Sequence, residues 1–276
     1  MIRTPVAIGD TLTLFGTEHQ VVMAGIAVVA IALSLLLRLA GDHARRTRRA
    51  VCGSLAGLLG VALIVEHTQK IVTGIWSVQE SLPLHLCDIG LFVTVLALIG
   101  AASHGRPRGP SETREPTVAS SGRHRSPDIW QWLFELAYFW GLGGTVQAVL
   151  TPDIDETFPD LRCMRYFTAH GAIIIAVLVM TIGLRMRPWR GAVVRVWLAT
   201  LVLAIPVMLI DWLLGANYMY LCGPPAHPSL FDYFGRWPRS LLSLAVVATV
   251  LILLCYAPFW VIDRWRARRP TEGTSA

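Results

Sequence analysis

Apolar runs alternate with short polar connections along the chain. Seven runs approach or reach the ~20 residues that a helix needs to cross the hydrocarbon of a bilayer. They cover residues 21–39, 50–65, 82–101, 130–150, 167–182, 194–214 and 241–262. Their polar positions do not alternate with apolar ones as barrel strands require, and lipid admits only helices and closed barrels as spanning structures. The pattern therefore predicts an all-α fold: a polytopic membrane helix bundle of seven transmembrane helices in a single integral domain. The first run starts after about twenty residues, behind a leader with one basic residue, Arg3. A signal peptide has a basic start and a short apolar core, so the run reads as a retained helix.

Composition agrees with the pattern. The 276 residues are 54% hydrophobic and 15% charged, with mean hydropathy +0.54. A soluble domain has about a quarter charged residues. The charges also test the span count. Of 24 Lys and Arg, 18 lie in the odd connections and the tail. These connections hold Arg38 to Arg49, Arg106 to Arg125 and Arg185 to Arg195, and the tail runs from Arg264 to Arg269. The positive-inside rule then places the N-terminus outside and the C-terminus in the cytoplasm of a cell-membrane protein. A net charge of +6 thus follows from topology and calls for no nucleic acid. Membrane lipids are the expected partners, because basic inner loops meet anionic headgroups. Residues 102–128, rich in Arg, Ser, Pro and Gly, read as a disordered cytoplasmic linker. Pro206 predicts a kink in the sixth helix.

Polar residues within or beside the runs sort by depth. His19 precedes the first run, and Glu66 and His67 end the second. His85, Cys87 and Asp88 enter the third. Gln147, Thr151 and Asp153 close the fourth, and His170 lies in the first turn of the fifth. Asp211 ends the sixth, followed by Asn217, Tyr218 and Tyr220. All belong to the outer level except Glu135, near the cytoplasmic start of the fourth span. Ionisable groups in spans are costly and face bundle interiors or water-filled cavities. The pattern predicts an outward-facing polar cavity. His85, Cys87, Asp88, His170 and Asp211 are its candidate catalytic residues. Gln147, Thr151, Asn217, Tyr218 and Glu135 are its candidate lining. Taken singly, His19, Glu66, His67 and Asp153 read as interfacial, and Tyr218 and Tyr220 as belt aromatics. Gly141, Gly143 and Gly144 read as sites of close helix packing.

The stretch "QESLPLHLCDIGLFV" concentrates the question. Pro83 suits a first helical turn, where its missing N–H costs nothing. His85 and Asp88, three apart, share a helix face. Cys87 lies about 200° from His85 around the helix, so a base for this thiol comes from another helix, with His170 at similar depth. Three readings remain open: thiol- or imidazole-assisted acyl transfer, a zinc site, and a non-catalytic transport cavity or structural polar network. The zinc reading ranks lower, because no H-E-x-x-H occurs and the seventh span lacks histidine. No cofactor or metal is expected. Cys163 and Cys222 both fall in outer connections, where an oxidising exterior favours a disulfide.

The segments "SLPLHLCDIGLFV", "LFELAYFWGLGGTVQAVLTPDI", "FPDLRCMRYFTAHG" and "DWLLGANYMYLCGPP" resemble the bacterial YwaF-like integral membrane proteins. That group is related to eukaryotic transmembrane protein 164, and the likeness runs from FGTEH to the seventh span. The eukaryotic relative is implicated as a cysteine-dependent phospholipid acyltransferase. The resemblance thus implies lipid acyl transfer on substrates reached from the outer leaflet. In its motif the cysteine directly precedes the histidine, which aligns with Leu84 and His85; His85 carries over, whereas Cys87 is offset. The expectation is lipid acyl transfer or hydrolysis, with His85 or His170 as base, Cys87 as nucleophile, and Asp88 or Asp211 orienting a histidine. The alternative is a non-catalytic transporter or envelope assembly protein.

Overall fold

The computed structural model describes residues 13–104, 128–152, 154, 156–224 and 233–268. All regular elements among them are helical, and seven helices are long and apolar enough to cross a membrane. They are α1 (Thr17–Leu39), α2 (Ala44–Val72), α3 (Leu86–His104), α4 (Ile129–Leu150), α5 (Leu161–Gly183), α6 (Ala192–Leu214) and α7 (Arg239–Arg268). A 3₁₀ turn, Gly41–His43, leads into α2. Every apolar run falls on a helix except for residues 82–85, which precede α3, and α2 is far longer than its run of 50–65. It adds basic first turns and carries Glu66, His67 and Lys70 inside the helix. Residues 102–104 belong to α3 rather than to a linker; the rest of that connection up to 127 lies outside the described residues.

Local chemistry sets the helix ends. Asp128 caps α4 by accepting a bond from the Gln131 N–H at 2.8 Å, and Asp160 caps α5 through the Arg162 N–H at 2.7 Å. Such caps satisfy amides that have no partner within the helix. Helix α6 runs without a break through Pro206 between two left-handed glycines, Gly191 (φ 80°) and Gly215 (φ 65°). Both α4 and α5 contain one wider π turn, at Gly141–Thr145 and Val179–Gly183.

The core sits between α2, α3, α4 and α5, where Leu59, Leu98, Phe134, Phe139, Ile173, Val177 and Met180 are almost fully buried. In the glycine run of α4 only Gly141 is a close approach: a Cβ there would lie 2.9 Å from Val177 Cγ2, whereas at Gly143 and Gly144 it would make ordinary contact at 3.9 and 3.7 Å. Of their most apolar windows, α4 and α5 each bury 56%, while α6 buries 11% and α7 6%. The outer pair is therefore the least enclosed, each helix keeping one exposed face. In a bilayer, apolar surface has no drive to leave lipid, so peripheral helices can keep it exposed.

Antiparallel neighbours define two ends. At one end His19 of α1 meets Val149, Glu66 of α2 meets Arg165 of α5, and Leu82 meets Tyr218. At the other, Arg38 meets the Ile182 carbonyl, and Glu135 of α4 meets Arg195 of α6. These are called the His85 end and the Glu135 end. The arginines of the first and fifth connections gather at the Glu135 end.

Candidate functional site

The site at the His85 end is built by the loop that follows α6. Gly215 turns the chain, and its N–H and that of Ala216 both donate to the Asp211 carbonyl. The Asp211 side chain, 1% exposed, then accepts the Tyr218 N–H at 2.8 Å through Oδ1. Tyr218 is fully buried rather than a belt aromatic. Its hydroxyl donates to the Val78 carbonyl and accepts the Leu82 N–H, both at 2.9 Å. Burial raises the pKa of this phenol, which suits its role as a donor. Asn217 closes the loop: its amide donates to the Gly223 carbonyl at 3.1 Å and accepts the Cys222 N–H at 3.0 Å.

Between these anchors, Met219 and Tyr220 both adopt left-handed φ values, 55° and 56°. For residues with a Cβ this costs on the order of 1–3 kcal/mol each, and such strain persists only where the surroundings over-determine it. Here it brings the loop onto His85. The Met219 N–H points at His85 Nδ1 across 3.4 Å. The Tyr218 ring meets the imidazole edge-on at 5.1 Å, and Tyr220 tilts against it at 5.7 Å. An acceptor at Nδ1 places the proton of a neutral imidazole on Nε2. His85 does not lie inside α3. Its carbonyl accepts the Asp88 and Ile89 N–H groups, each at 3.1 Å, so it stands just before the first turn. Pro83 accordingly belongs to the preceding turn, not to the helix.

A second group adjoins. Glu66 pairs with Lys70 at 3.0 Å and with Arg165 of α5 at 2.8 Å. Glu66 is within electrostatic reach of Cys87, Asp88 and His170. Helices α2, α3 and α5 pack against one another, and the Glu66–Arg165 pair ties α2 to α5. His170 stacks on Tyr166 at 4.1 Å between ring centroids, and its Nδ1 lies 2.8 Å from the Tyr166 carbonyl. A carbonyl can only accept, so Nδ1 carries the proton and the Nε2 lone pair is left for a base.

Other expected members do different work. Gln147 and Thr151 bond to each other at 2.8 Å. Asp211 and Asn217 hold the loop. Glu135 lies at the opposite end, 0% exposed and paired with Arg195. His19 is fully buried, not interfacial: Nδ1 accepts the Phe15 N–H at 3.0 Å and Nε2 lies 2.7 Å from the Val149 carbonyl. Asp153 lies outside the described residues. Cys163 and Cys222 form no disulfide; both thiols are free. Cys163 is buried with Val149, Phe167 and Ile174, while Cys222 lies exposed on the loop that Asn217 staples. Among the described residues no three His, Cys, Asp or Glu side chains come together as a metal site.

Met219, Arg165, Lys70 and Tyr166 were not legible as participants. Their signals were faint: Glu66 with Lys70 and Tyr166 with His170 are i,i+4 pairs, but a backbone amide aimed at an imidazole has no sequence signature.

No curated protein and no solved structure matches the chain. A family model described as the TMEM164 family matches residues 14–256. The match takes in α1 to α6, most of α7, and the whole His85 site; the chain belongs to the TMEM164 family.

Proposed function

We propose that the His85 end faces the outside of the cell membrane as a polar cavity, and that it transfers or hydrolyses acyl groups of membrane lipids. The observation that carries this reading is the strained Met219–Tyr220 loop held onto His85, with Cys87, Asp88, Glu66 and His170 at the same end of the bundle. Backbone strain of this kind clusters at active sites and ligand clamps.

The tautomers divide the roles. His170, with its Nε2 lone pair, takes the proton of the Cys87 thiol. The sulfur bonds to the ester carbonyl carbon, and His85 donates its Nε2–H to the oxyanion that forms. Collapse breaks the ester C–O bond, and the leaving lipid alcohol takes the proton from His170. The thioester then passes its acyl group to an acceptor hydroxyl, or to water for hydrolysis. Glu66 and Asp88 favour the imidazolium that appears on His170 during each half. Asp211 acts as a positioning residue, through the loop.

The test is the purified protein in nanodiscs, with phospholipid donor and acceptor and lipid mass spectrometry. Cys87→Ala and His170→Ala abolish turnover, an acyl group is trapped on Cys87, and His85→Ala lowers the rate about 10²-fold or more. Turnover that survives Cys87→Ala but dies with His85→Ala removes the thiol and leaves an imidazole mechanism. The alternative, a non-catalytic transporter or assembly protein, is favoured by polar atoms that satisfy one another within the protein, as at His19 and Asn217. It predicts no turnover, and loss of solute uptake or envelope assembly in the same variants.

A further inference from the structure

At the Glu135 end a groove of about 500 Å³ opens between the connection into α6 and the last turns of α7. Arg190, Gly191, Tyr256, Trp260, Asp263 and Arg264 line it. Its charge is unbalanced. Asp263, the one acidic group in this lining, is committed to Arg187 at 2.5 Å. Arg190 and Arg264 are exposed and make no ion pair among the described residues. The Arg190 carbonyl accepts a bond from Arg195 Nη1 at 3.1 Å, which fixes the backbone beside the groove. The Arg264 guanidinium lies over the Trp260 ring, 4.7 Å from its centroid.

Depth adds a second, independent observation. The apolar run of α7 ends at Ile262, so the hydrocarbon boundary falls between Trp260 and Arg264. These two are one helical turn apart, about 6 Å along the axis. The groove therefore has an aromatic half at acyl-chain level and a cationic half at headgroup level. One face of helix α7, Trp260 included, is exposed, so a lipid reaches the groove laterally without leaving the bilayer.

We infer that this groove binds the phosphate headgroup of an anionic phospholipid, with Arg190 and Arg264 on the phosphate and the acyl chains along Tyr256 and Trp260. Basic pockets between spanning helices recognise such headgroups, and guanidinium matches phosphate geometry. Soluble phosphate shares the headgroup chemistry but gains nothing from the aromatic half. The site lies at the far end of the bundle from His85 and stands without the reading given for that end.

Full-length protein in detergent is titrated with dioctanoyl phosphatidylglycerol, with dioctanoyl phosphatidylcholine, and with inorganic phosphate. Phosphatidylglycerol binds tightest. Arg190→Gln and Arg264→Gln each weaken it about fivefold, the pair about 25-fold, while Arg46→Gln on α2 leaves it unchanged. Arg190→Lys retains most of the affinity, and melting temperatures confirm that each variant is folded. Should the double variant not purify, the single substitutions decide. Equal binding of phosphatidylcholine, inorganic phosphate binding as tightly as the lipid, undiminished binding in the arginine variants, or an equal loss with Arg46→Gln would each overturn the site.

Discussion

Arg195→Ala is the substitution whose cost is best defined. Glu135 is 0% exposed and accepts five hydrogen bonds. Three come from Arg195, at 2.7 to 3.1 Å. The others, from Gln131 Nε2 and the Trp189 N–H, both end on Oε1. Removing Arg195 thus strips Oε2 of every partner and leaves a buried carboxylate without a counter-ion. Breaking a buried pair this way costs about 3–5 kcal/mol. The double variant Glu135→Gln with Arg195→Met removes both charges, while the carbonyl of the introduced amide still accepts from the Trp189 N–H. Its expected cost is about 1–2 kcal/mol, below the about 3–5 kcal/mol of a broken pair, so with Arg195→Met and Glu135→Gln as the singles the two sites couple by at least about 1 kcal/mol. Reversible unfolding in mixed detergent–SDS micelles, followed by circular dichroism, measures both. The pair at the protein surface, Arg162 with Glu156, has side chains 59% and 30% exposed and is the internal control. Arg162→Ala costs under about 1 kcal/mol. If Arg195→Ala falls within about 0.5 kcal/mol of wild type, or the double variant loses the sum of its singles, the buried-charge reasoning is wrong.

Gly141→Ala forces a methyl against Val177 and Ile173 and lowers stability by about 1–3 kcal/mol. Gly57→Ala, with nothing within 4 Å, is neutral or stabilising in the same assay; equal losses at both sites would refute the packing account. Tyr218→Phe removes two buried bonds, costs about 1–3 kcal/mol, and speeds amide exchange at Leu82, where unchanged exchange would refute the bridge. Asp211→Asn keeps an acceptor for the Tyr218 N–H and holds stability within about 1 kcal/mol, whereas Asp211→Ala loses about 1–2 kcal/mol; thermal melts that rank them the other way would show that charge, not the hydrogen bond, matters. In the lipid assay, Asp211→Ala slows turnover without abolishing it, and complete loss would make Asp211 more than a positioning residue.

The seven helices were legible because lipid demands long apolar runs whatever their neighbours. Their ends were less so. The run of 50–65 understated α2, since Arg48 and Arg49 at one end and Glu66 and Lys70 at the other are helical but not apolar. His19 and Tyr218 looked interfacial because depth is set by sequence position, while burial is set by what packs alongside. Glu135 was visible as a costly charge in a span, but its partner lies 60 residues away.

By itself the sequence determined the fold class, the span count, and the level at which polar residues gather, because each follows from composition along one helix. Only the tertiary structure decided which of those residues meet. Helices α2 and α5 meet through the Glu66–Arg165 pair, and the loop after α6 folds back to set Met219 against His85. It also set the group opposite Nδ1 in two imidazoles, a distant backbone amide for His85 and a carbonyl of its own helix for His170.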